Sequence, residues 1–281
     1  MMSYIKEICK QHQIKILKAK PLAGGDINQV YKVDSLDGDY VIKLNVAHMF
    51  PKMFEVEAKS LDMLSKTESF IIPKVIGYGE YNDKTYLILE YMASDSSYNF
   101  SEAFARALAK LHKHQSDRYG LEFNNYIGRL PQHNLPQENN SLDFYINLRL
   151  EPQFKWAREK GFDFKDIDQF YKTLENVIPK EKASLIHGDL WSGNYLITTD
   201  ENACIFDPAI AHAPREMDLA MMKLFGGYPQ KIFDIYNDMF PLQQHWESRI
   251  SLWQLYYVLV HVNLFGSSYY NQAKQIIRRF T

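Results

Sequence analysis

The chain has 281 residues, 46 % of them hydrophobic and 23 % charged, with a formal charge of −2 at pH 7. That apolar content excludes a disordered chain, and the near-neutral balance excludes a bulk electrostatic pull towards nucleic acid or an anionic membrane. Two cysteines, Cys9 and Cys204, make no disulfide framework and point to a reducing, cytoplasmic setting.

Residues 1–20 scatter Lys and Glu among apolar positions, so no signal peptide is expected. Tyr4 to Gln13 reads as a short helix. Residues 21–28 (PLAGGDIN) precede the alternating run Gln29 to Val33, and a turn at Asp37-Gly38-Asp39 leads into Tyr40 to Leu44. Glycines before such a hairpin allow close backbone approach to phosphates, which makes Gly24, Gly25 and Asn28 candidate nucleotide contacts. Taken alone, a glycine-rich turn is a weak sign. Lys43 ends the second strand. In the helix expected from Pro51, Phe54, Ala58, Leu61 and Leu64 share a side, and Glu57 points with them. A carboxylate there needs a partner, and Lys43 is the candidate, with Glu55 projecting elsewhere.

Ile71 to Gly79 reads as a loop and a strand, and Thr85 to Tyr91 as a second strand. Residues 92–99 are small and polar, which sets an expected boundary between a 1–92 lobe and a 93–281 lobe. Backbone groups of Glu90, Tyr91 and Met92 at that boundary are candidate adenine contacts, unless this is an ordinary surface loop. Ser101 to His114 is amphipathic, with Ser101 as the expected N-cap. His112 and His114 have no ligand-like spacing and are expected to be structural or solvated. Residues 119–134 show little periodicity. Asp143 to Lys160 reads as a helix interrupted near Pro152, followed by a helix from Phe170 to Val177. Ile250 to Phe265 is too short and too polar for a bilayer span and reads as a buried helix.

Residues 185–220 carry the chemistry. Leu185-Ile186 gives way to His187-Gly188-Asp189, Tyr195 to Ile197 resumes an apolar run, and Ala203 to Phe206 returns from a polar turn to stop at Asp207-Pro208. Asp189 and Asn194 sit on one loop, and the hairpin brings Asp207 back towards them. A hard cation such as Mg²⁺ takes carboxylate and amide oxygens, which Asp207 and Asn194 can supply. Asp189 is then left to orient an attacking hydroxyl, as phosphoryl transfer requires. The competing reading is a polar hairpin whose Asp and Asn side chains cap turns.

Several motifs together resemble the fructosamine kinase (ketosamine 3-kinase) family. They are HGDLWSGN at 187–194, FDPA at 206–209, REMDLAM at 215–221, LFGGY at 224–228, NNYIGRLPQHN at 124–134 and RLEPQ at 149–153. The resemblance implies an α+β, bilobal protein-kinase-like fold related to aminoglycoside phosphotransferases, with a small β-rich N-lobe holding one key helix and a larger, mainly helical C-lobe. It also implies ATP-dependent phosphorylation of the 3-hydroxyl of ketosamines, whether small molecules or glycated proteins, and hence deglycation. Members of bacterial type are associated more with ribulosamine and erythrulosamine. Three departures stand out: Ala213-Pro214 precede Arg215-Glu216, the phosphate loop lacks a cysteine, and the segment just after Asn134 lacks the expected tryptophan, with Leu142-Asp143-Phe144-Tyr145 in that region.

The expected roles follow. Lys43, held by Glu57, contacts the α- and β-phosphates; Asn194 and Asp207 hold Mg²⁺; Asp189 orients the sugar hydroxyl. Asp218 either braces the catalytic loop or serves as an N-terminal helix charge. Trp191 either stacks on the sugar or anchors the loop in the core. His187 is expected to hydrogen-bond behind the site. No nucleic-acid or membrane partner is expected, and a monomer is favoured. The competing functions are a kinase for an aminoglycoside or choline and an inactive kinase-fold binding module.

Overall fold

The structure is a computed structural model, and it describes residues 2–22, 28–94 and 100–281. The chain falls into two compact units, Met1–Tyr98 with Leu196–Phe206, and Asn99–Tyr195 with Asp207–Thr281.

The first unit begins with α1 (Met2–Gln11), β1 (Ile16–Pro21), β2 (Gln29–Ser35), β3 (Gly38–Val46), α2 (Met53–Ser65), β4 (Val75–Tyr81) and β5 (Lys84–Glu90). The five strands form an antiparallel sheet in the order β1-β2-β3-β5-β4. Ile5, Ile8 and Cys9 of α1 pack with Val33, Ile42, Leu44 and Ile88 into one core. The sequence reading missed β1. It is an edge strand with two lysines, and its Leu17 is exposed, so no alternation marks a buried face.

The second unit carries α3 (Ser101–His112), β6 (Gln115–Ser116), β7 (Asn125–Ile127), β8 (Leu130–Gln132), α4 (Ser141–Asp143), a π-helical stretch (Phe144–Leu150), α5 (Glu151–Glu159), α6 (Ile167–Val177) and β9 (Ala183–Ile186). The hairpin strands β10 (Tyr195–Ile197) and β11 (Ala203–Ile205) follow. After them come β12 (Ala211–Ala213), α7 (Glu216–Leu224), α8 (Gln230–Met239), α9 (Trp246–Phe265) and α10 (Tyr270–Arg279). In the first unit, β11 is tied to Ile71 by two backbone bonds, Ile71 to Ala203 at 3.0 Å and Ile205 to Ile71 at 3.1 Å.

One local expectation is corrected: Ser101 is the first helical residue of α3, and Phe100 occupies the N-cap without a side-chain bond. The interruption expected near Pro152 takes the form of the π-helical stretch, which ends at Leu150 and runs directly into α5, with Pro152 in the first turn of α5. The long α9 is apolar nearly all round and buried, with Leu252, Trp253, Leu255, Tyr256 and Leu259 inside, and both α7 and α10 pack against it.

Candidate active site

Lys43 sits on β3, paired across to Leu87 of β5, and is 4 % exposed. Its Nζ lies 2.6 Å from Glu57 Oε1 on α2. The pairing follows from burial, because either charge alone would be costly in this interior. Glu55 instead bonds Lys59 on the surface at 2.8 Å. Among the phosphate-loop candidates, Gly24 and Gly25 lie outside the described residues. Asn28 is described, and its Oδ1 accepts from Asn45 Nδ2 at 2.6 Å, which ties the loop exit to β3.

At the end of β5 the Glu90 N–H donates to the Lys74 carbonyl at 2.9 Å and the Tyr91 N–H to the Asp39 carbonyl at 3.0 Å. Two of the three candidate adenine donors are therefore used by the protein itself. Of this trio, only Met92 can offer a backbone N–H to a base. The Tyr91 ring is also engaged, with Lys32 Nζ 4.2 Å from its centroid.

The candidate catalytic loop, residues 187–194, is built on a crossed backbone. His187 ends the buried strand β9, and its carbonyl accepts the Ala209 N–H at 2.9 Å, which clamps the loop to the segment after Asp207. Gly188 has φ +81°, and a Cβ there would meet the Ala209 carbonyl oxygen at 2.0 Å, so only glycine fits between the two loops. Asp218, fully buried on α7, accepts the N–H groups of His187 and Gly188, both at 2.8 Å. This resolves its two readings in favour of a brace. Its third partner is His112 Nε2 at 3.2 Å, and His112 Nδ1 meets Tyr236 Oη at 2.8 Å. Burial pushes His112 below its usual pKa, so the ring is neutral and donates to Asp218 through one nitrogen only.

Asp189 and Asn194 are joined directly. Asn194 Nδ2 donates to the Asp189 carbonyl at 2.9 Å and to its Oδ2 at 3.1 Å. Using both N–H bonds this way leaves the Asn194 amide oxygen as the group able to ligate a cation. Asp207 is exposed and adopts φ +57°, a left-handed conformation that is strained for a residue with a side chain. Its carboxylate is close enough to act on Asp189, whose pKa is pushed up to about 7. Burial is the main cause and the Asp207 charge the next, with the Asn194 hydrogen bond opposing them. Two carboxylates and an amide oxygen gathered so that one acid resists ionisation form a donor set that fits Mg²⁺. Among the described residues, no group of three or more His, Cys, Asp or Glu side chains is gathered to hold a metal. A site completed by an asparagine is consistent with that.

Trp191 is not a buried anchor: it is 38 % exposed. It rides on the same turn as Asp189, with its N–H on the Asp189 carbonyl at 3.1 Å, and its ring covers Gly193. Behind His187, the Nδ1 atom accepts the Asp189 N–H at 3.3 Å.

The sequence reading overlooked what lies behind these loops. Residues 124–134 form the β7–β8 hairpin, and its amides turn inward. Gln132 Nε2 donates to the Ala209 carbonyl and to Asn125 Oδ1, both at 2.9 Å, and Asn125 Nδ2 donates to the Ile210 carbonyl at 2.9 Å. Tyr256 Oη donates to Gln132 Oε1 at 2.8 Å. Arg149, 1 % exposed, donates to Asn134 Oδ1 at 2.9 Å and lies over the Phe144 ring at 4.4 Å. This buried network grips the backbone two and three residues after Asp207. Four amides, Asn124, Asn125, Gln132 and Asn134, clustered in an aperiodic stretch were the available signal. The segment 215–218 is a second node. Arg215 bonds Glu181 at 2.8 Å, and Glu216 receives Arg249 at 2.9 Å and Trp253 Nε1 at 2.7 Å.

A family model described as fructosamine kinase matches residues 1–281. The chain is 35 % identical over 277 residues to the probable ketoamine kinase of Enterococcus faecium, covering 94 % of this chain and 95 % of that one. A crystal structure from Haemophilus somnus 129PT, named as a candidate fructosamine-3-kinase, superposes with a TM-score of 0.87 at 28 % identity. It covers 98 % of this chain and 95 % of the other. A thermostable mutant of aminoglycoside phosphotransferase APH(4)-Ia, solved with AMP-PNP and hygromycin B, gives a TM-score of 0.66 at 15 % identity. The coverage is 99 % and 98 %, and the likeness is one of fold.

Proposed function

The chain belongs to the fructosamine kinase family, and from that premise we propose that it transfers the γ-phosphoryl group of ATP to the 3-hydroxyl of a ketosamine. The candidate acceptors are ribulosamine, erythrulosamine and fructosamine adducts, on small amines or on proteins. The 3-phosphate would destabilise the adduct and free the amine, so the reaction promotes deglycation.

The observation that carries the reading is the Asp189–Asn194 pair with Asp207 beside it, gripped from behind by Asp218. Asp189 orients the sugar hydroxyl and receives its proton. A carboxyl poised near neutrality suits that exchange. Lys43, aimed by Glu57, meets the α- and β-phosphates, and the phosphate loop with Gly24, Gly25 and Asn28 covers them. Adenine meets the Met92 N–H and the carbonyls of Glu90 to Met92. We thus assign the nucleotide to the N-terminal part and the acceptor to the C-terminal part, in keeping with the 1–92 and 93–281 division. Asn194 and Asp207 would hold Mg²⁺, which when bound neutralises charge on the phosphoryl oxygens. Little covalent work is left to the protein in such a reaction, so position and charge supply the catalysis.

The test is ATP consumption with ribulosamine, erythrulosamine, fructosamine and an aminoglycoside side by side. Turnover with at least one ketosamine and none with the aminoglycoside is expected. Turnover with the aminoglycoside alone, or with none of the four, would overturn the assignment.

A further inference from the structure

A continuous strip of aromatic rings leaves the catalytic loop along the surface of the second unit. Trp191 meets Phe225 edge-on, with centroids 6.4 Å apart. Phe225 lies 5.1 Å from His261, which in turn lies 5.5 Å from Phe265 and 4.8 Å from Tyr269. Three of the five are exposed large apolar side chains: Trp191 at 38 %, Phe225 at 43 % and Phe265 at 51 %. Phe225 closes α7, His261 and Phe265 lie on α9, and Tyr269 precedes α10. No single element accounts for the strip; three separate segments converge to build it. Exposed apolar surface of this extent costs solubility and marks a contact surface.

The strip is fastened to the catalytic loop. Gly227 has φ +91°, and a Cβ there would meet Ser192 Cβ at 2.6 Å, so the segment after Phe225 presses on the loop. Tyr228 Oη donates to the Trp191 carbonyl at 3.3 Å. The strip therefore starts two residues from Asp189 and holds a set position relative to it.

Resting on the ketosamine reading above, we propose that this strip seats the amine portion of the substrate and selects ketosamines whose amine carries an aromatic or extended apolar chain. In a ketosamine the nitrogen is separated from the reacting 3-hydroxyl by three carbons. A sugar whose 3-hydroxyl meets Asp189 therefore places its nitrogen within reach of the Trp191 ring. That nitrogen is a secondary ammonium, and ammonium over an indole face is a favourable contact. The substituent beyond it continues onto Phe225, His261 and Phe265. His261 does not oppose the positive charge, because burial lowers its pKa and its Nδ1 faces the Tyr257 carbonyl at 2.8 Å, which fits a neutral ring.

The test compares two ribulosamines that differ only in the amine, one made from ethanolamine and one from phenethylamine, by kcat/KM. Wild-type protein should favour the phenethylamine adduct about fivefold to tenfold, the range one or two aromatic contacts give. Phe225→Ala and Phe265→Ala remove exposed rings, and each should bring that ratio towards one. An active wild type with equal kcat/KM for both adducts would overturn the inference, as would an advantage that survives in both variants. A wild type inactive on every ketosamine, yet active on another alcohol, would instead overturn the reading beneath it.

Discussion

The molecule handles clustered charge in two opposite ways. Lys43 and Glu57 form a compensated pair, 2.6 Å apart and nearly out of solvent, so the ammonium is held ready and its position is set by its partner. The pKa of Asp189 is pushed up to about 7 by burial first and by the nearby Asp207 charge second, so the folded chain favours a proton on it. The first arrangement stabilises the fold while it waits for an anion. The second costs stability until a cation or a proton relieves it. Binding machinery of each sign is thus recognisable by what the apo protein does with the charge.

The largest effect expected from probing this contrast is on turnover. Asp189→Asn should lower kcat by about 10²–10⁴-fold while nucleotide affinity, measured by calorimetry, stays near wild type. The same variant should raise the melting temperature of the nucleotide-free protein at pH 8, because it removes one of two repelling carboxylates. A lowered melting temperature there would show that no repulsion is stored.

Breaking the compensated pair should act the other way. Lys43→Met or Glu57→Leu alone removes one half of this buried ion pair and should cost about 3 kcal/mol in denaturant unfolding. The double variant should be more stable than either single one. If the singles are additive, the pair is not coupled.

Gln132→Leu probes the buttress behind the segment after Asp207. It takes the hydrogen-bond partner from the Tyr256 hydroxyl and a donor from the Ala209 carbonyl, while Asn125 Oδ1 keeps Asn134 Nδ2 at 3.0 Å, and should cost about 1–2 kcal/mol. Mn²⁺ binding followed by electron paramagnetic resonance should weaken, and the Mg²⁺ concentration for half-maximal rate should rise. Unchanged Mn²⁺ affinity would confine the hairpin to a packing role.

The smallest effect is a pH slope. The Asp189 carboxyl ionises near 3.8 when unfolded and near 7 when folded. Between those values the folded state holds more protons, so its contribution is complete below pH 3.8 and is lost as pH rises through about 7. Chemical denaturation of the nucleotide-free protein at pH 6 and pH 8 should show that loss, and Asp189→Asn should flatten it.

Much of this was legible in the chain. The 187–194 and 206–209 motifs carry their chemistry within a few residues, and a hairpin is a local structure, so Asp189, Asn194 and Asp207 could be grouped from spacing alone. The Lys43–Glu57 pairing followed from helical periodicity together with the cost of a lone buried charge. The hairpin at 124–134 was not legible, because its amides bond backbone atoms of residues 209 and 210. Nothing in their own spacing names those partners. Which backbone donors of 90–92 stay open was only partly legible, since neighbouring strands decide which are already taken.

By itself the sequence determined which side chains can carry charge, ligate a cation or line a core, because residue type and short-range period suffice for that. Only the tertiary structure decided that Asp218 grips residues 187 and 188, that Gln132 holds the segment after Asp207, and that four rings, Phe225, His261, Phe265 and Tyr269, line up beyond Trp191. Asp218 lies 31 positions from His187 and Gln132 lies 77 from Ala209, so tertiary packing and not local geometry brings them within bonding distance.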